Sequence, residues 1–157
     1  GTPLVDGNSV IFGSFDGNLY AVDRRNGEEK WRFSSANWFW TLPAMVDGTL
    51  YAGGLDHGLY ALDPNTGQQQ WRFESTGPIR TTVTPIEDGI VFGTEDRMVY
   101  AIGSLGNELW KHDMGSSVYS HISLIDGSLF VVAQDGRVHV MDTIRGSVLW
   151  DFDSRAE

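Results

Sequence analysis

The chain has 157 residues, 41% of them hydrophobic and 20% charged, the balance of one globular domain rather than of a disordered segment. With 11 basic and 21 acidic residues the net charge is −10, a surface that repels phosphate backbones and anionic headgroups and argues against nucleic acid and membrane insertion. The lack of cysteine removes disulfides, thiolate nucleophiles and cysteine-ligated zinc, and no run approaches the ~18 apolar residues of a membrane span.

Turn residues and aromatic-rich strands alternate along the chain. Asp6-Gly7 and Asp16-Gly17 mark the first hairpins, and Leu19-Tyr20-Ala21-Val22-Asp23 leads through Gly27 to Trp31. The next stretch repeats the pattern in full. A first strand is predicted over residues 40–46, the turn Asp47-Gly48, a second strand over 49–53, and a turn at 55–58. A third strand follows over 59–62, then the turn 63–67 and a fourth strand over 69–73. A third copy runs through Asp88-Gly89, Asp96, Ala101, Gly103 and Gly106 to Trp110. A fourth runs through Asp126-Gly127, Asp135-Gly136, Val140, Asp142 and Gly146 to Trp150.

The tryptophans that close the copies, Trp31, Trp71, Trp110 and Trp150, are 40, 39 and 40 residues apart. No window shows helical periodicity. Four-stranded antiparallel units at this period predict an all-β propeller, one domain over 1–157 with blades at about 1–36, 37–76, 77–115 and 116–157.

Two strings, Ala21-x-Asp23 with Gly27 and Trp31, and Ala61-x-Asp63 with Gly67 and Trp71, resemble the Ala-x-Asp-x-x-x-Gly-x-x-x-Trp signature of pyrroloquinoline-quinone-type (PQQ-like) propeller repeats. The third copy departs from it, with Gly103 in place of aspartate and a turn one residue shorter. The fourth has Val140 in place of alanine. The resemblance implies that each tryptophan packs against a small alanine and the glycine turn of the neighbouring blade. The implied structural set is Ala21, Gly27, Trp31, Ala61, Gly67, Trp71, Ala101, Gly106, Trp110, Gly146 and Trp150, with no chemistry assigned to it. Quinone-dependent enzymes of this kind are implied to have full rings, cysteine pairs and large inserted loops, which this sequence lacks. Catalysis and a cofactor are therefore not expected, and with no closely spaced histidine pair and no Asp-x-Asp-x-Asp-Gly run neither is a metal.

The segments between a fourth strand and the next first strand are the least repetitive, and in this fold they lie at one mouth of the central channel. They bring Trp38, Phe39 and Trp40 together with Arg80, Tyr119 and His121, a set suited to a peptide or a flat organic ligand. The competing reading is that alternate members of Trp38-Phe39-Trp40 pack between blades. The leading function is a non-enzymatic scaffold for a protein or peptide partner, similar in use to the propeller lipoprotein of the bacterial outer-membrane β-barrel assembly machine. That resemblance implies a periplasmic or extracellular location. The alternatives are a ligand- or stress-sensing propeller of a larger receptor or kinase, and a fragment of a PQQ-dependent dehydrogenase. Four blades leave two faces uncovered. They are covered by a second copy in an eight-bladed ring, by the rest of a longer chain, or by closure into a small disc; the homodimer is favoured.

Overall fold

The computed structural model describes residues 2–155, so the predicted domain ends at 1 and 157 lie outside it. Sixteen strands form four separate sheets, each with its strands in sequence order. Blade 1 comprises β1 (Leu4–Asp6), β2 (Ser9–Gly13), β3 (Asn18–Asp23) and β4 (Glu29–Ser34). Blade 2 comprises β5 (Ala44–Val46), β6 (Thr49–Gly53), β7 (Gly58–Leu62) and β8 (Gln69–Glu74). Blade 3 runs over β9 (Thr84–Ile86), β10 (Gly89–Gly93), β11 (Met98–Gly103) and β12 (Glu108–Asp113). Blade 4 runs over β13 (Ser123–Ile125), β14 (Ser128–Val132), β15 (Arg137–Asp142) and β16 (Val148–Asp153). The protein is an all-β propeller of four blades. The first strand of blade 2 is shorter than predicted, because Trp40 to Pro43 belong to the inter-blade connection, where the Thr41 hydroxyl donates to the Gly53 carbonyl (3.3 Å).

The core is three slabs, one between each pair of consecutive blades. Ile11, Leu19, Trp31, Phe39, Leu50 and Tyr60 fill the first. Tyr51, Leu59, Ile79, Phe92 and Tyr100 fill the second, and Val91, Val99, Trp110, Val118, Leu129 and Val131 the third. A blade therefore has a forward face towards its successor and a rear face towards its predecessor, and blades 2 and 3 are covered on both. This is why the third strands β7 and β11 are buried along nearly their whole length, while their counterparts in the end blades, β3 and β15, are buried only in part.

The tryptophans tie the slabs together. The Trp31 indole N–H donates to the Pro64 carbonyl (2.9 Å), that of Trp71 to Ser104 (2.9 Å) and that of Trp110 to Thr143 (2.8 Å), each in the third turn of the following blade. The ring lies flat on the glycine of that turn. A Cβ on Gly67 would stand 2.5 Å from the Trp31 ring and one on Gly106 2.9 Å from Trp71; Gly146 faces Trp110 in the same way. These glycines also have positive φ (+69°, +85° and +65°), so two constraints coincide on one residue. The alanine of the repeat sits in the tryptophan's own sheet, as the cross-strand partner Ala21↔Trp31, Ala61↔Trp71 and Ala101↔Trp110. A bulge follows that pair in every blade.

The turn aspartate caps its loop. Asp142 accepts from the backbone N–H groups of Ile144 (3.0 Å), Arg145 (2.7 Å) and Ser147 (2.8 Å). In the third blade Gly103 takes the place of the aspartate, and the Asn107 amide fills the space beside it, 2.7 Å from where a Cβ would stand.

One slab departs from the pattern. Phe33 stacks edge-on against Tyr60 (5.0 Å), and Phe73 against Tyr100 (5.5 Å), partners 27 residues apart in both cases. At the same 27-residue spacing the junction of blades 3 and 4 has His112 and His139, and the buried His139 Nε2 has no hydrogen-bond partner.

Two outcomes follow in urea unfolding. Trp110→Ala removes a buried indole and its hydrogen bond and is expected to cost about 3–5 kcal/mol. The double replacement His112→Phe/His139→Tyr restores the aromatic pair of the other junctions and is expected to add about 1 kcal/mol; a loss of stability would show that this pair packs differently from its counterparts.

Candidate functional site

In an antiparallel meander the second turn of each blade and the connection to the next blade fall at the same end. The chain concentrates its exposed aromatic residues there. Phe15, in the second turn of blade 1, meets Trp38 edge-on at 5.3 Å and Trp40 at 5.5 Å. The Arg80 guanidinium lies over the Trp40 ring at 5.5 Å and over the Tyr119 ring at 6.0 Å. Glu95 fixes it, accepting from Arg80 Nε at 2.6 Å. The result is one ladder, Trp38–Phe15–Trp40–Arg80–Tyr119, whose members come from all three connections and from blade 1.

Trp40, Arg80 and Tyr119 occupy one position of the repeat, each directly after a buried apolar residue: Phe39, Ile79 and Val118. Those buried residues wedge against the glycines or the backbone that end each second strand. A Cβ on Gly13 would collide with Phe39 at 2.5 Å, and one on Gly53 with Ile79 at 2.5 Å. With its neighbour locked inward, the next side chain must project outward. Phe15 (60% exposed), Trp38 and Trp40 (both 45%) and Tyr119 (41%) therefore present more aromatic surface than a solvated rim requires.

The predicted set divides accordingly. Trp38, Trp40, Arg80 and Tyr119 come together in the ladder. Phe39 is 2% exposed and packs on Phe33 and Tyr60, so it supports the site from below and offers no surface. His121 is exposed and stands apart from the ladder's aromatic and cation–π contacts. Phe15 joins the ladder although the sequence reading passes over it. Its signal lay in aligning the second turns, where Phe15 stands in register with Leu55, Glu95 and Gln134. A cleft of about 360 Å³ between blades 2 and 3, lined by Asp47, Tyr51, Glu87, Asp88 and Ser104, opens at the opposite end and takes no part in the ladder.

The carboxyls and phenols of these turns are coupled. The Tyr20 hydroxyl donates to Asp16 (2.7 Å), which holds the Asp16 carboxyl well below its ordinary range and raises the tyrosine. Burial, aided by a hydrogen bond to Asp56, pushes Tyr60 up to about 12. At the other end of the blades, backbone N–H groups lower Asp23 (from Arg25) and Asp142 (from Arg145, Ser147 and Ile144). Asp153 is lowered from the Arg155 N–H.

The family whose sequence model matches the chain is described as outer membrane protein assembly factor BamB. The matched stretches, residues 1–102 and 56–157, together span the whole chain. Among solved structures, BamB from Moraxella catarrhalis superposes with a TM-score of 0.81 at 16% identity, over 92% of this chain and 49% of that one. The computationally designed Ika8 protein superposes with a TM-score of 0.82 at 21% identity, over 96% and 48% respectively. The chain thus spans about half the length of both, and at these identities the likeness is one of fold. No curated protein matches.

The turn carboxylates set the acid limit of this end-to-end arrangement. A carboxyl held below its unfolded value contributes stability that is complete above about pH 4 and is lost as pH falls through the lowered value. Thermal unfolding between pH 7 and pH 2 is expected to show a melting temperature that drops below pH 4, with a shallower drop in Asp142→Asn. A melting temperature independent of pH in that window contradicts this.

Proposed function

The chain belongs to the family described as outer membrane protein assembly factor BamB, and from that premise we propose that it is a non-enzymatic scaffold binding a protein or peptide across the aromatic ladder. The observation that carries this reading is the ladder itself. Trp, Tyr and Arg are the side chains that supply most binding energy at protein interfaces, because each combines a large apolar area with a polar edge. Here they are held in place before any partner arrives, which lowers the entropy cost of association. Phe39, Ile79 and Val118 anchor the connections, and the Glu95 contact fixes Arg80.

An extended segment with aromatic or branched apolar side chains fits such a strip, its backbone amides facing the Arg80–Glu95 pair. The repeat tryptophans Trp31, Trp71 and Trp110 act as ties between blades and take no part in binding. The family is described by its part in outer membrane protein assembly, and on that ground we assign this chain a periplasmic or extracellular setting. Within it, the unit works as a homodimer or as part of a longer chain.

Peptides selected from a displayed random library against the intact protein provide the test. Trp38→Ala/Trp40→Ala/Arg80→Ala, all at the exposed end, is expected to leave the fold intact and weaken the selected peptides at least tenfold, about 1.4 kcal/mol or more. Peptides that bind the triple variant as tightly as the parent would refute the ladder as the binding site.

A further inference from the structure

We propose that two copies of this four-bladed unit close one eight-bladed ring, the forward face of blade 4 in each copy docking on the rear face of blade 1 in the other. The inference deepens the homodimer reading above by naming the contact, and it is independent of what the ladder binds.

The two free faces carry the two halves of a device that the chain already uses three times. Its first half stands unfilled on blade 4. Trp150 is 52% exposed, whereas Trp31 and Trp110 are buried to 7% and 8%, and Phe152 beside it is 59% exposed. Trp150 is nevertheless set in the same posture as its counterparts. It pairs with Val140 across the sheet and meets Phe130 edge-on at 6.2 Å, where Trp71 meets Tyr51 at 5.7 Å with the rings tilted by 56°.

The second half stands unfilled on blade 1. Gly27 has the positive φ of Gly67, Gly106 and Gly146, at +74°, yet a Cβ there would meet nothing within 4 Å, where each of the other three would strike an indole. The carbonyl of Arg24 occupies the place that Pro64, Ser104 and Thr143 take as indole acceptors. Above it, Phe12 and Tyr20 stack at 5.8 Å and 26°, the counterpart of the Phe92–Tyr100 stack at 5.4 Å and 16°. In the second slab Phe73 sits edge-on against both of those rings, at 6.3 Å and 5.5 Å. Phe152 of a second copy has the same stack waiting on blade 1.

Blade 4 cannot use this socket within its own chain, since Trp150 and Gly27 are both open, and the small closed disc considered from sequence is thereby excluded. The two solved structures it superposes on are each about twice as long as the part this chain matches, the extent of two such units. A two-fold axis along the channel then makes both new junctions identical and leaves no face over.

Light scattering on the intact protein at micromolar concentration is expected to give twice 17.4 kDa. Trp150→Ala removes the indole. Gly27→Asn fills the socket with a residue that tolerates positive φ. Phe152→Glu charges the seat on the aromatic stack. Each is expected to halve the mass while the β-sheet circular dichroism is kept, since Trp150 and Phe152 are more than half exposed and the space over Gly27 is empty in the single chain. A monomer for the parent, a dimer that survives all three changes, or open-ended polymers would each overturn the ring. The ladder residues lie outside these contacts, so a monomer that still binds the selected peptides sinks the ring alone, and a dimer that binds none sinks the scaffold reading alone.

Discussion

An indole N–H bonded to a carbonyl in the next blade is the contact on which the rest of this structure depends. A four-stranded sheet of short strands cannot bury both of its faces by itself, and its edges and faces are a liability until something covers them. The repeat meets that need with one large side chain per blade, whose ring covers a glycine turn and whose single donor finds the one carbonyl within reach. Because the turn must be free of a Cβ, tryptophan and glycine are two parts of one requirement, and they recur together. Stability in such a chain is a sum of near-neighbour junctions, so each slab stands or falls with its own tie.

Much of the fold was legible in the sequence for that reason. The tryptophan interval, the Asp-Gly turns and the Asp-x-x-x-Gly loops each answer to a local constraint, and local constraints leave local marks. The predicted second strand of blade 2 coincides with Thr49–Gly53, because a turn signal bounds it on both sides. The first strand was drawn too long, because an apolar run through Trp40 cannot reveal that the connection still crosses between blades there.

The site was harder to read. Trp38, Phe39 and Trp40 are chemically alike and adjacent, yet Phe39 is a core residue and its neighbours are surface. What separates them is the close approach of Phe39 to Gly13, a contact 26 positions away that only the folded chain displays. Phe15 was passed over because it enters the ladder from a different turn, and only an alignment of the second turns sets it apart. The reverse holds for Trp150, which the repeat marks as equivalent to Trp31 and which is not, because equivalence depends on having a neighbour. His112 and His139 show a third limit: each is unremarkable alone, and only their placement at the Phe–Tyr positions of the other junctions gives them meaning.

The scaffold separates its tasks by end of the blade. One end carries the glycine turns and indole acceptors that hold the blades together; the other carries the connections whose exposed side chains differ from blade to blade over a uniform buried base. Variation at the second end costs the first nothing, which is how a repetitive framework comes to present a particular surface. Hydrogen exchange of the six indole N–H groups, followed by nitrogen-15 NMR, tests this division directly. The account predicts slow exchange at Trp31, Trp71 and Trp110 and fast exchange at Trp38 and Trp40; exchange at the three ties as fast as at the two ladder tryptophans would contradict it.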